Sequence, residues 1–184
     1  MSHIGTLIAI VGMPGSGKSV AAEFFRSKGI PVLRFGDQTD IGLAEHNLPR
    51  NEKNERWYRE SLRKELGMAA MAIKIEPRIE KAVVESEHIV LDGLYSWEEY
   101  KYLKEKYPML TLLCVYASPK VRHKRLTTRL VRPLTIEEAA ARDVAEIENL
   151  NKGGPIAVAD VLVSNQSSEE EFVAQLSKIY NEFI

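Results

Sequence analysis

Residues 7–19 read LIAIVGMPGSGKS. An apolar run, Leu7 to Val11, passes straight into a loop holding three glycines, a lysine and a serine. The spacing Gly12-x-x-x-x-Gly17-Lys18-Ser19 fits the phosphate-binding loop pattern in full. Glycines let a backbone turn its N–H groups inward and approach a ligand closely. A helix starting just after Gly17 aims its positive end at the bound anion. The following segment SVAAEFFRSKG supplies that helix, with Gly29 placed to terminate it. Nucleotide contact therefore falls to Gly12, Pro14, Gly15, Ser16, Gly17, Lys18, Ser19 and Val20. Lys18 is expected to neutralise β/γ oxygens and Ser19 to ligate Mg²⁺, which makes ATP and Mg²⁺ the expected cofactors.

Outward from the loop, apolar runs recur at Pro31 to Phe35, Ile89 to Leu91, Leu110 to Tyr116 and Asp160 to Val163. Short apolar strands separated by helical stretches predict an α/β fold with a parallel sheet covered on both faces. Ser118-Pro119 marks a helix start, and Ser96 to Glu99 and Thr135 to Glu138 both fit the capping box. The 184 residues suit one domain, 1–184. More than one crossover helix separates Phe35 from Ile89, so a helical insertion is expected at about 38–86. A second, arginine-rich excursion is expected at about 122–142.

Bulk composition narrows the partners. Hydrophobic residues make up 45% and charged residues 28%, an ordinary globular balance, and the net charge of −1 gives no reason to expect a nucleic-acid partner. No apolar run approaches the ~20 residues that cross a bilayer. The N-terminus has no secretory-signal pattern, so a cytoplasmic location with no membrane partner is expected. The single cysteine, Cys114, reads as a core residue, and His3, His46, His88 and His123 have no metal-ligand spacing.

Three further groups carry candidate chemistry. HIVLDG, His88 to Gly93, places Asp92 and Gly93 at the C-terminal end of a strand, where open α/β sheets bind ligands. Asp92 is expected in the Mg²⁺ shell. Arg122, Arg125, Arg129 and Arg132 recur at 3, 4 and 3, one face of a helix if the helix from Ser118 runs that far. Such a stripe suits an anion, though a solvated surface gives the same pattern. Arg50, Arg56, Arg59 and Arg63 lie among glutamates, so salt bridging competes there with phosphate binding.

Taken in order, GMPGSGKS, Gly36-Asp37, Leu91 to Gly93, the arginine segment, Arg142-Asp143 and ADVLVSN at 159–165 resemble the nucleoside-monophosphate-kinase branch of P-loop kinases. The likeness is to the archaeal adenylate-kinase-related proteins and to dephospho-CoA kinases. It implies a three-layer P-loop NTPase fold with five parallel strands in the order 2-3-1-4-5. It also implies a helical substrate-binding insertion and an arginine-bearing lid. On the same footing Arg125 and Arg129 are lid arginines, Arg63 is a substrate-side arginine and Asn165 lies near the base.

The acceptor is expected to be a small, nucleotide-like molecule. A monophosphate is largely ionised at neutral pH and needs no strong base. A hydroxyl, as in dephospho-CoA, benefits from a carboxylate. Asp37, after the second strand, is placed to be that base or to bind substrate, with Asp40 as a weaker alternative. A GTPase reading fails because Asn151-Lys152-Gly153-Gly154 lacks the guanine-reading aspartate. A nucleotide sensor with little phosphotransfer remains the alternative from a different class.

Overall fold

The computed structural model describes residues 5–184; His3 lies outside them. Five strands, β1 (Leu7–Val11), β2 (Val32–Arg34), β3 (Ile89–Asp92), β4 (Thr111–Tyr116) and β5 (Val161–Ser164), form one sheet in the order β2-β3-β1-β4-β5. All pairs are parallel, with Ile10 beside Asp92 and Val11 beside Cys114. The fold is thus the P-loop kinase architecture the resemblance implied.

Side chains alternate across a strand, so a buried central strand feeds two cores. Leu7, Ala9 and Val11 join Leu91, Leu112 and Cys114 on one face. Ile8 and Ile10 join Val90, Leu113 and Val115 on the other, under Phe25 and Phe172. The second face is covered by α1 (Lys18–Ser27) and α9 (Glu169–Phe183). The first is covered by α2 (Asp37–Glu45), α3 (Glu52–Leu66), α4 (Ala70–Glu85) and α5 (Trp97–Lys106). Cys114 is buried and free, as its apolar run predicts.

The local signals are met. Gly29 follows α1 at φ 82°. Both capping boxes form, at the start of α5 and of α7 (Ile136–Leu150). The three helices α2 to α4 fill the β2–β3 connection.

One expectation is corrected. The helix from Ser118, α6, spans only Pro119–Thr128, so Arg129 and Arg132 are off it. Thr127 and Thr128 turn their hydroxyls back onto the Lys124 carbonyl at 2.8 and 3.2 Å, competing with helix continuation. Pro133 bars helical backbone just beyond. The Leu126 carbonyl instead accepts from the Leu134 N–H at 3.1 Å as the chain folds back.

Candidate functional site

The phosphate loop joins β1 to α1 at the C-terminal edge of the sheet. Gly17 caps α1 at φ 106°, and a Cβ there would stand 2.1 Å from the Asn165 amide. Gly12 has φ 145°, and a Cβ there would press the Val115 carbonyl at 2.4 Å. Both positions require glycine by conformation and by space. Pro14, Gly15, Gly17, Lys18 and Ser19 line a cavity of about 370 Å³ together with Asp92, Arg125 and Arg129. Gly12 and Ser16 lie behind it: Ser16 is fully buried, and the Gly12 carbonyl accepts from the Lys18 ammonium at 2.8 Å.

Lys18 is held down to a pKa of about 7, first by burial and next by the neighbouring charge of Lys152. An anion in the cavity would restore the ammonium. Burial likewise raises Asp92 above the usual carboxylate range, against the pull of Lys18 and Arg34. The Ser19 hydroxyl and the Asp92 carboxylate are hard oxygen donors on one cavity, a donor set that fits Mg²⁺ with water completing its shell.

Asn165, Val20, Gly17 and Arg125 line a smaller adjoining pocket of about 180 Å³, closed by Phe172. Asn165 is locked by its amide donating to the Ser16 carbonyl at 2.8 Å and its oxygen accepting from Arg125 at 3.2 Å. The second guanidinium nitrogen of Arg125, Nη1, is buried without a partner.

On the other side lies a cleft of about 870 Å³ between α3 and the α6–α7 connection. Arg34, Tyr95, Arg129, Arg142 and Glu146 line both the cleft and the phosphate cavity, so the two spaces meet at these side chains. Arg63 lines the cleft and has no carboxylate within ion-pair distance among the described residues. Burial holds its pKa below the usual guanidinium value, with Glu99 opposing.

The salt-bridging alternative for the glutamate-rich helix holds for part of it. The Glu55 side chain is 8% exposed, and it collects Arg132 at 3.1 Å, Arg50 at 3.2 Å and Arg59 at 3.6 Å. The Arg132 hydrogen bonds outweigh burial and hold Glu55 below the usual range. Arg132 is therefore spent on a carboxylate across the cleft.

The proposed four-arginine stripe is corrected further by Arg122, which is 4% exposed. Its guanidinium forks onto Asp143 at 2.8 and 2.6 Å and donates to the Pro14 carbonyl at 3.0 Å. It ties α6 to α7 and to the phosphate loop, and lines neither the cavity nor the cleft. Burial would raise Asp143, but the Arg122 and His123 hydrogen bonds bring it below its ordinary value.

Asp37 opens α2, but its carboxylate is paired with Arg34 at 3.5 Å and Arg78 at 3.3 Å. It lines neither the cavity nor the cleft, whereas Asp40, paired with Arg50 at 3.1 Å, lines the cleft. Gly93 turns the chain after Asp92 at φ 93° without lining the cavity. Sequence reasoning missed Arg34, Tyr95, Glu146 and Lys152. Arg34 had a signal, as the last residue of a parallel strand on the ligand-binding edge; Lys152 had none in its local pattern.

Comparisons with known proteins bear on the family and the fold. The AAA domain family model matches residues 8–149. A UPF0200 protein of Methanoculleus marisnigri is 36% identical over 172 residues, covering 92% of each chain. Among solved structures, a dephospho-CoA kinase from Campylobacter jejuni superposes with a TM-score of 0.59 at 15% identity, covering 98% of each chain. A shikimate kinase from Bacteroides thetaiotaomicron gives 0.61 at 12% identity, covering 96% of this chain and 97% of that one. At such identities these two likenesses establish the fold. Among the described residues, no helix is long and apolar enough to cross a membrane.

Proposed function

The chain belongs to the AAA-domain family and to the UPF0200 proteins, and from that premise we propose that it is a cytoplasmic, Mg-ATP-dependent small-molecule kinase. Its acceptor is a nucleotide-like molecule that presents a phosphate to the arginine cleft. The observation that carries this reading is the meeting of the two spaces at Arg34, Tyr95, Arg129, Arg142 and Glu146. A donor phosphate in the loop and an acceptor anion in the cleft would face each other there.

The loop amides and Lys18 bind the β/γ phosphates, and the small pocket at Asn165 receives the base. Ser19, and Asp92 through water, would hold Mg²⁺, which supplies charge neutralisation across the phosphate oxygens. Arg125 and Arg129 approach from the α6 side and neutralise the transferring group. The α2–α4 stretch serves as the acceptor insertion and the α6–α7 connection as the lid, whose closure over the cleft excludes water.

Asp37 is assigned to positioning. Its carboxylate is turned onto Arg34 and Arg78, lines neither the cavity nor the cleft, and holds Arg34 at the junction. A phosphate acceptor needs no base, since its second pKa is near 6. This favours a monophosphate over a hydroxyl acceptor.

The test is ADP formation from Mg-ATP against AMP, CMP, UMP, dTMP, GMP and dephospho-CoA. Turnover with one of the monophosphates supports the reading. Turnover with dephospho-CoA alone returns Asp37 to the role of base. Tight nucleotide binding without turnover on any acceptor replaces the kinase with a sensor.

A further inference from the structure

We propose that Lys152 is a second phosphate-directed cation beside Lys18 on the wall of the same cavity, aimed at the γ-phosphate; this rests on the kinase reading above. Lys152 is 1% exposed, yet it lines the phosphate cavity. It stands between α7 and the short helix α8 (Gly153–Ala157), after Asn151 turns the chain at φ 50°. Its own N–H closes the end of α7 on the Glu146 carbonyl at 3.3 Å, which fixes the root of the side chain.

The ammonium is anchored on two sides. It donates to the Glu146 carboxylate and sits 4.8 Å from the centre of the Tyr95 ring. Glu146 is also held by Arg142 at 3.1 Å. An ammonium has three N–H donors, and Glu146 takes one of them; no other acceptor is within reach among the described residues. Donors are left for an oxygen anion in the cavity.

The direction follows from the anchors. Glu146 and Tyr95 both belong to the junction where cavity and cleft meet. The γ-phosphate is the donor phosphate that must reach that junction, while the α- and β-phosphates stay within the loop. Six cationic side chains line the phosphate cavity against the carboxylates of Asp92 and Glu146, an excess suited to a triphosphate. A lysine serving only to end α7 would gain nothing from a place on the cavity wall. Buried charge is costly unless paired, and Glu146 supplies the counter-charge until a phosphate arrives.

Lys152→Met and Lys152→Gln test the assignment, the second keeping a hydrogen-bond donor for Glu146 in case the first does not fold. The readouts are the dissociation constants of Mg-ADP and of the β,γ-imido analogue of Mg-ATP, with melting temperature as the folding control. The expected result is a loss of at least tenfold for the triphosphate analogue and less than about twofold for ADP. Lys152→Arg is expected to recover most of the triphosphate affinity. Equal losses for both nucleotides, or no loss for either, would overturn the assignment while leaving the kinase reading standing. A wild-type protein that binds neither nucleotide would overturn the kinase reading, and this inference with it.

Discussion

Residues 12–19 and the arginine cleft hold charge in opposite ways. The loop uses backbone amides, glycine conformations and one helix end, all encoded within eight consecutive residues. The cleft gathers Arg34 from β2, Arg63 from α3, Arg129 from the α6–α7 connection and Arg142 from α7. A local cradle is specified by local chemistry, whereas a composite cleft depends on which long side chains the fold turns inward. The cleft also contains its own anions: Glu55 takes three arginines that the spacing alone offers to a substrate.

The largest expected effect falls on the loop. Lys18→Met should lower turnover by more than about 10³-fold, read as ADP formation at saturating acceptor. It should not lower the melting temperature. A folded pKa of about 7 lies below the unfolded value of 10.5, so the unfolded chain binds this proton more tightly. Lys18 therefore withdraws stability at pH 7, a cost relieved as pH rises toward 10.5. Retained turnover in this variant would break the comparison at its firmest point.

Arg122 and Arg129 separate structure from chemistry within one arginine segment. Arg122→Met strips Asp143 of its buried fork and should destabilise by about 3 kcal/mol, a fall of about 6–12 °C in Tm. Arg129→Met, at a half-buried side chain with no carboxylate partner among the described residues, should leave Tm within about 2 °C and cut kcat. The opposite pattern in thermal melts would restore the ligand-facing stripe.

On the acceptor side, Arg63→Met should raise the acceptor KM by about 10–100-fold with little change in nucleotide affinity. A nucleotide-side loss instead would mean that cavity and cleft are not separate binding regions. The smallest effect is on pH. A phosphate favours the charged form of Lys18, so Mg-ADP affinity should weaken roughly tenfold between pH 7 and 8.5. Lys18→Met should flatten that profile, measured by calorimetry.

The same contrast explains what the sequence made legible. The sheet could be read because its central strands β1, β3 and β4 are apolar runs largely buried on both faces, while the edge strands β2 and β5 are short and only partly buried; its order followed from the resemblance. Both capping boxes were legible because three residues define them. Arg122 was not, because its fate depends on Asp143, which is 21 residues away and on another helix. Lys152 was not, because a lone lysine after a helix becomes part of the site only once α7 packs beside the loop. Asp37 was placed correctly along the chain, but its pairing with Arg78 arises from the packing of α2 on α4.

Transfer of the γ-phosphoryl group is the most direct question. The protein would be incubated with γ-labelled Mg-ATP and each monophosphate, and the label followed into product. Label on a nucleoside diphosphate formed from one acceptor, absent with Lys18→Met, is the predicted result. Label released only as inorganic phosphate, or left on ATP with every acceptor, would contradict phosphoryl transfer between cavity and cleft.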